Sequence, residues 1–143
     1  MTNQATCPIT IEHIRVRADR IECMVRVASC RYAMTDAALM ARVLKKVPTV
    51  QYHACRNHQG PLFAAVMNAT SVPHLLEHLI VDAQTRASQD DTRIFTGTTQ
   101  WIADSDSLVA LVSISYEDDL VALGAIKQSV QFLNEVLGDL RPS

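Results

Sequence analysis

No run of apolar residues in this 143-residue chain approaches the roughly 20 that a membrane-spanning helix needs. The opening Met1-Thr2-Asn3-Gln4 shows no basic segment leading into an apolar one, so the sequence reads as lacking a secretory signal, and the cytoplasm is the expected compartment. Basic excess is missing too: 13 Lys and Arg stand against 15 Asp and Glu, for a net charge of −2 and a pI near 6.2. Neither counterion release nor attraction to an anionic surface then has a patch to act through. Nucleic acid and membrane are not expected as partners, and a peptide-like small substrate is. No linker divides the sequence and no short-period repeat runs through it, so residues 1–143 are expected to form one domain.

Disulfide staples are also not called for. The four cysteines, Cys7, Cys23, Cys30 and Cys55, are even in number, but a chain that is 48% hydrophobic at this length can bury a core without them. They read as thiols. Cys23 falls within an apolar alternation and reads as core. Cys55 lies among His53, Arg56 and His58, in a stretch that gathers polar and nucleophilic residues.

The periodicities that are present outline the elements. Ile9, Ile11, Ile14 and Val16 mark a strand over 9–17. Ile21, Cys23, Val25 and Val27, with Glu22 and Arg26 opposite, mark a second over 21–28, joined to the first by a turn at Ala18-Asp19-Arg20. Thr35 or Asp36 caps a helix carrying Leu39, Met40, Val43 and Leu44, and Pro48 ends it. A mixed loop from Val50 to Gly60 precedes a short helical piece from Leu62 to Met67. Thr70 or Ser71 then caps a helix that tolerates Pro73 in its first turn. After a polar break at 88–92, strands are predicted over 93–102 and 108–116. A last helix opens at Glu117-Asp118-Asp119 with the apolar stripe Leu120, Leu123, Ile126, Val130, Leu133, Val136 and Leu137, interrupted by Lys127 and ended by Gly138 and Pro142. The order ββα-α-ββα predicts an α+β domain, a mostly antiparallel sheet with helices packed on one face. Apolar surface left on the last helix can support a homodimer.

Chemistry concentrates in Pro73-His74-Leu75-Leu76-Glu77-His78-Leu79. Four residues apart on a helix, His74 and His78 share a face and can present nitrogens to one divalent ion, with Glu77 beside them to poise a water, the H-x-x-E-H arrangement of the inverzincins. Histidines on helices are often merely half-exposed, and the pattern becomes a site only with a third ligand. Glu117, Asp118 and Asp119 are one source, though acidic residues there also serve simply to cap a helix. Cys55 and His53 are competitors. A zinc ion so held lowers the pKa of its water to about 7 and polarises a carbonyl while Glu77 takes the proton, which is amide or ester hydrolysis. Arg93 and Arg56 are the candidates for a bidentate hold on an anionic substrate, although a surface arginine is the commoner fate of either.

Several stretches taken together resemble the N-terminal domain of cyanophycin synthetase. They are Leu39-Met40-Ala41-Arg42-Val43-Leu44-Lys45-Lys46-Val47-Pro48, His53-Ala54-Cys55, His74 to Gln84, Thr92-Arg93 and the junction Val112 to Ala122. The likeness covers roughly residues 36 to 140. Pro73 stands where that family's helix has Gly, and Asp82 and Ala83 stand where it has Glu and Leu. The resemblance implies His74 and His78 as zinc ligands, Glu77 as general base, Arg93 as a substrate-binding residue and, by its place at the junction, Asp119 as third ligand, with Glu117 and Asp118 as neighbours in the same role. It further implies a metallopeptidase-like hydrolase of a peptide or isopeptide bond, of cyanophycin-like material. The alternative is a catalytically inactive binding or assembly module that works with a separately encoded ligase. With no ATP-grasp or Mur-ligase-like module within these residues, polymerisation driven by ATP is not expected.

Overall fold

A computed structural model describes residues 7–55, 59–102 and 108–142. Four strands form one antiparallel sheet: β1 (Ile9–Val16), β2 (Arg20–Val27), β3 (Gly97–Trp101) and β4 (Leu108–Ser115), in the order β1-β2-β4-β3. Three helices, α1 (Ala37–Lys46), α2 (Val72–Ala87) and α3 (Asp119–Leu140), complete the predicted α+β domain in the order ββα-α-ββα. Short 3-10 helices lie at Cys30–Tyr32, Pro48–Tyr52 and Phe63–Ala65, the last where the sequence predicts a short helix over 62–67. No described helix is long and apolar enough to cross a membrane.

The alternation of Ile21, Cys23, Val25 and Val27 puts all four on the buried face of β2, opposite Ile114, Val112 and Ala110 of β4. In β1 the apolar spacing lengthens from two to three between Ile11 and Ile14, which would throw later residues to the wrong face. A bulge between Ile11 and His13 absorbs the extra residue, so Ile14 and Val16 pair with Cys23 and Ile21. Both stay nearly half exposed, because β1 is an edge that the helices cover mainly at its start. There Asn134 of α3 accepts from the Ile9 N–H at 2.9 Å and donates to the Ile9 carbonyl at 3.0 Å.

Against the inner face lie α2, which packs on α3, β3 and β4, and α3, which also contacts α1 and β1. The last helix differs from its expected stripe. Its buried line runs Ala122, Ala125, Ile126, Ser129, Leu133, Val136 and Leu137, leaving Leu120 76% exposed and Lys127 in solvent. It also passes through Gly138 to Leu140, since a helical glycine weakens a helix without ending it. Strand β3 is shorter than predicted because the Arg93 N–H turns back to the Asp90 carbonyl (3.1 Å), so the chain enters the sheet only near Thr96.

Asp36 rather than Thr35 caps α1, its carboxylate accepting from the Leu39 N–H at 2.8 Å. That bond, joined by the Arg141 guanidinium, holds the Asp36 carboxyl below the usual carboxylate range. A depressed folded-state pKa adds stability that is present above the unfolded value and lost as pH falls through the folded one. Asp36→Ala is therefore expected to lower the unfolding free energy by about 1 kcal/mol at neutral pH. In urea titrations at stepped pH, its deficit against wild type should shrink once pH drops below the ordinary aspartate range.

Candidate metal centre

Three segments converge on one side of α2. Ser71 caps the helix by accepting from the His74 N–H at 3.1 Å, and Pro73 sits in the first turn, where its missing N–H costs nothing. Opposite, Ala54 and Leu62 pair in an isolated antiparallel bridge. The Cys55 N–H donates to Pro61 and the Phe63 N–H to His53. This brings Cys55 and His53 over the helix, while β3 closes the far side.

Among the described residues, Cys55, His74 and His78 are the His, Cys, Asp or Glu side chains whose ligand atoms gather within 4.8 Å of one another. The His74 and His78 Nε2 atoms are 3.2 Å apart, and Cys55 Sγ is 3.5 Å from His74 Nε2. Zinc–nitrogen bonds of about 2.0–2.1 Å and a zinc–sulfur bond of about 2.3 Å in tetrahedral array separate such atoms by roughly 3.3 and 3.6 Å. The donor elements therefore suit a zinc-type ion, and the two separations that involve His74 match its spacing.

The outer ring nitrogens fix the tautomers that such binding needs. His74 Nδ1 lies 2.8 Å from Thr70 Oγ1. His78 Nδ1 lies 3.2 Å from His53 Nδ1, and His53 Nε2 lies 3.1 Å from Asp82 Oδ1. If each outer nitrogen of His74 and His78 carries the proton, both Nε2 lone pairs face inward, and His53 relays the contact to Asp82. Burial pushes His78 down to about 3, helped by the neighbouring His74 and His53, and it lowers His74 as well, so both imidazoles are neutral and able to ligate. The 3.6 Å approach of Glu77 to His78 is accordingly not an ion pair. Phe63 stacks on His78 with ring centroids 4.2 Å apart and fixes its plane.

Glu77 is only 5% exposed. Burial raises its pKa, and the Thr99 hydroxyl, donating to Oε1 at 2.8 Å, partly opposes the shift. Asp82 goes the other way: burial works to raise it, but bonds from His53, Thr49 and Arg86 hold it below the ordinary range. Two buried carboxylates on one helix thus differ in basicity.

The acidic residues considered as third ligand are placed elsewhere. Asp119 is the exposed first residue of α3. The Asp118 carboxylate caps that helix by accepting from Leu120 and Val121, and Glu117 lies 3.8 Å from Arg93. Arg93 lines the cleft beside the site, donates to the Tyr116 carbonyl at 3.3 Å and lies over the Phe95 ring. Arg56 lies outside the described residues. The sequence reading names His53 only as a competing ligand and assigns no role to Thr99, Gly97 or Asp82. Of these three, Asp82 left a readable signal, its i+4 spacing from His78 on the same helix face.

At Gly97 the sheet leaves no room for a side chain beside Glu77. A Cβ there would stand 2.7 Å from Glu77 Cγ and 3.0 Å from Ile114 Cδ1. Gly97→Ala is expected to cost roughly 1–3 kcal/mol through overpacking and to pull Glu77 from Thr99 while leaving the Cys55, His74 and His78 donors in place. Denaturation curves beside a zinc titration check both halves. Residues 22–138 match the cyanophycin synthase-like N-terminal domain, and no curated protein matches the chain.

Proposed function

The chain belongs to the cyanophycin synthase-like N-terminal domain family, and on that footing we propose that it is a zinc-dependent hydrolase of a peptide or isopeptide bond. The observation that carries the reading is a buried, basic carboxylate, Glu77, held beside three converging neutral or thiol donors, Cys55, His74 and His78. A thiolate with two imidazoles is a set that favours zinc over harder ions, and three protein ligands leave a position open. Zinc bound there supplies Lewis acidity toward an amide carbonyl.

The remaining work falls to the protein. Thr99 fixes one oxygen of Glu77 and leaves the other, on the His78 side, to accept a proton from the attacking water. Raised basicity suits Glu77 to that transfer, and the same carboxylic acid can return the proton to the departing amine. Asp82, through His53, holds the His78 ring in its ligating orientation. Arg93, at the cleft wall, offers a guanidinium to an anionic group of the substrate. The family's name points to cyanophycin-like material as the source of that substrate.

Untagged wild-type protein is expected to carry near-stoichiometric zinc, His78→Ala and Cys55→Ser to lose it, and Glu77→Gln to keep it while losing cleavage of peptide and isopeptide substrates. Wild type that takes up no metal after incubation with zinc would overturn the hydrolase reading in favour of a binding or assembly module.

Thiol chemistry gives a second check. Burial pushes the Cys23 thiol up to about 12, so it should stay unlabelled in native protein, while exposed Cys7 and Cys30 react at once. Added zinc should slow the labelling of Cys55 and leave the rates at Cys7 and Cys30 unchanged.

A further inference from the structure

The two edges of the sheet are built differently. Edge β1 carries a bulge and the charged or ionisable residues Glu12, His13 and Arg15, devices that discourage another strand from adding to it. Edge β3, Gly97-Thr98-Thr99-Gln100-Trp101, pairs with β4 in unbroken register and has no charge, proline or bulge. It is also the edge that borders the metal centre.

Its hydrogen-bonding direction is set by its ends. The Thr96 carbonyl accepts from Ser115 at 2.8 Å, and the Ile102 N–H donates to Val109 at 2.8 Å. In an antiparallel ladder the bonded positions alternate, so Thr98 and Gln100 also direct their backbone groups to β4, and Gly97, Thr99 and Trp101 direct theirs outward. The outward set coincides with the residues that contact the catalytic carboxylate: Thr99 bonds Glu77, and the Gly97 Cα lies against its side chain. The cleft running along this edge has a volume of about 1760 Å³, beyond the roughly 300–1,000 Å³ of small-molecule pockets and suited to a length of chain.

We propose that β3 is a docking strand, on which an extended polyamide main chain adds as a further strand, its backbone bonded by Gly97, Thr99 and Trp101, and so lies across Glu77 and the Cys55–His74–His78 donors. The proposal rests on the hydrolase reading for the cleavage of the docked chain, but not for its binding. Recognition of this kind reads the backbone and tolerates varied side chains. It therefore selects for a stretch of consecutive main-chain amides with free N–H groups, whatever their side chains carry.

The test uses the full chain carrying Glu77→Gln, so that no probe is cleaved, and a blocked peptide of Ala and Thr as probe. Residue-resolved hydrogen exchange should slow at the Gly97, Thr99 and Trp101 amides on adding the peptide and stay unchanged at Thr98 and Gln100, already bonded to β4. The same peptide methylated at its amide nitrogens should bind roughly tenfold more weakly or worse. Peptide binding without that alternation, no binding at all, or protection that appears without peptide and grows with protein concentration, as a second copy on the edge would give, each overturns the proposal. Alternating protection in a protein that takes up no zinc sinks the hydrolase reading alone, whereas zinc uptake and cleavage by wild type with β3 unprotected sinks the docking strand alone.

Discussion

Glu77, His78 and Asp82 are each at most 5% exposed on a single helix, and a buried polar group without a partner costs roughly 1–3 kcal/mol. Helix α2 therefore cannot be a greasy cylinder with a wet side, as its sequence suggests. It is buried on both sides, and the surrounding elements are placed to supply partners. Thr99 comes from the edge strand, His53 from the end of the 3-10 helix Pro48–Tyr52, Thr49 from the start of that helix, and Arg86 from the last turn of α2. Among the described residues no buried side-chain polar atom is left unsatisfied. Satisfying the core and building the site are the same act here, because the partners that neutralise the cost of burial are those that orient the imidazoles and the carboxylate.

That coupling also explains why the site sits where it does. A four-stranded sheet with helices on one face leaves room at the lip where α2 overhangs the edge strand, and His53, Cys55 and Phe63 lie against its histidines there. The opposite lip, at β1, is instead tied down by Asn134 on the Ile9 backbone and protected by its bulge. One edge carries a bulge and charges and the other carries neither.

Much of the scaffold was legible because short-range physics decides it. The alternation of β2, the Asp36 cap and the i, i+4 pairing of His74 with His78 need only local geometry, and the departure from period two between Ile11 and Ile14 is absorbed by a bulge. The third donor of the candidate cluster was not legible in the same way. Cys55 and the acidic run at 117–119 are both distant from α2 in sequence, and only the Ala54–Leu62 bridge, a pairing of weakly patterned residues, brings the cysteine over the helix. The acidic run is engaged instead by capping and by Arg93, an outcome that depends on where β4 ends relative to the start of α3. Gly97 and Thr99 carry no sequence signal at all, since their role comes from the lateral position of β3 against α2.

The chain has a single tryptophan, Trp101, and it stands at the end of β3, 41% exposed and on the wall of the cleft. Its side chain shares the face of Thr99, two residues before it, by the pleat of the strand. No other indole contributes to the emission of this protein, so the tryptophan part of its intrinsic fluorescence is set at that one spot. The molecule thus carries a built-in optical reporter of how wet its cleft is.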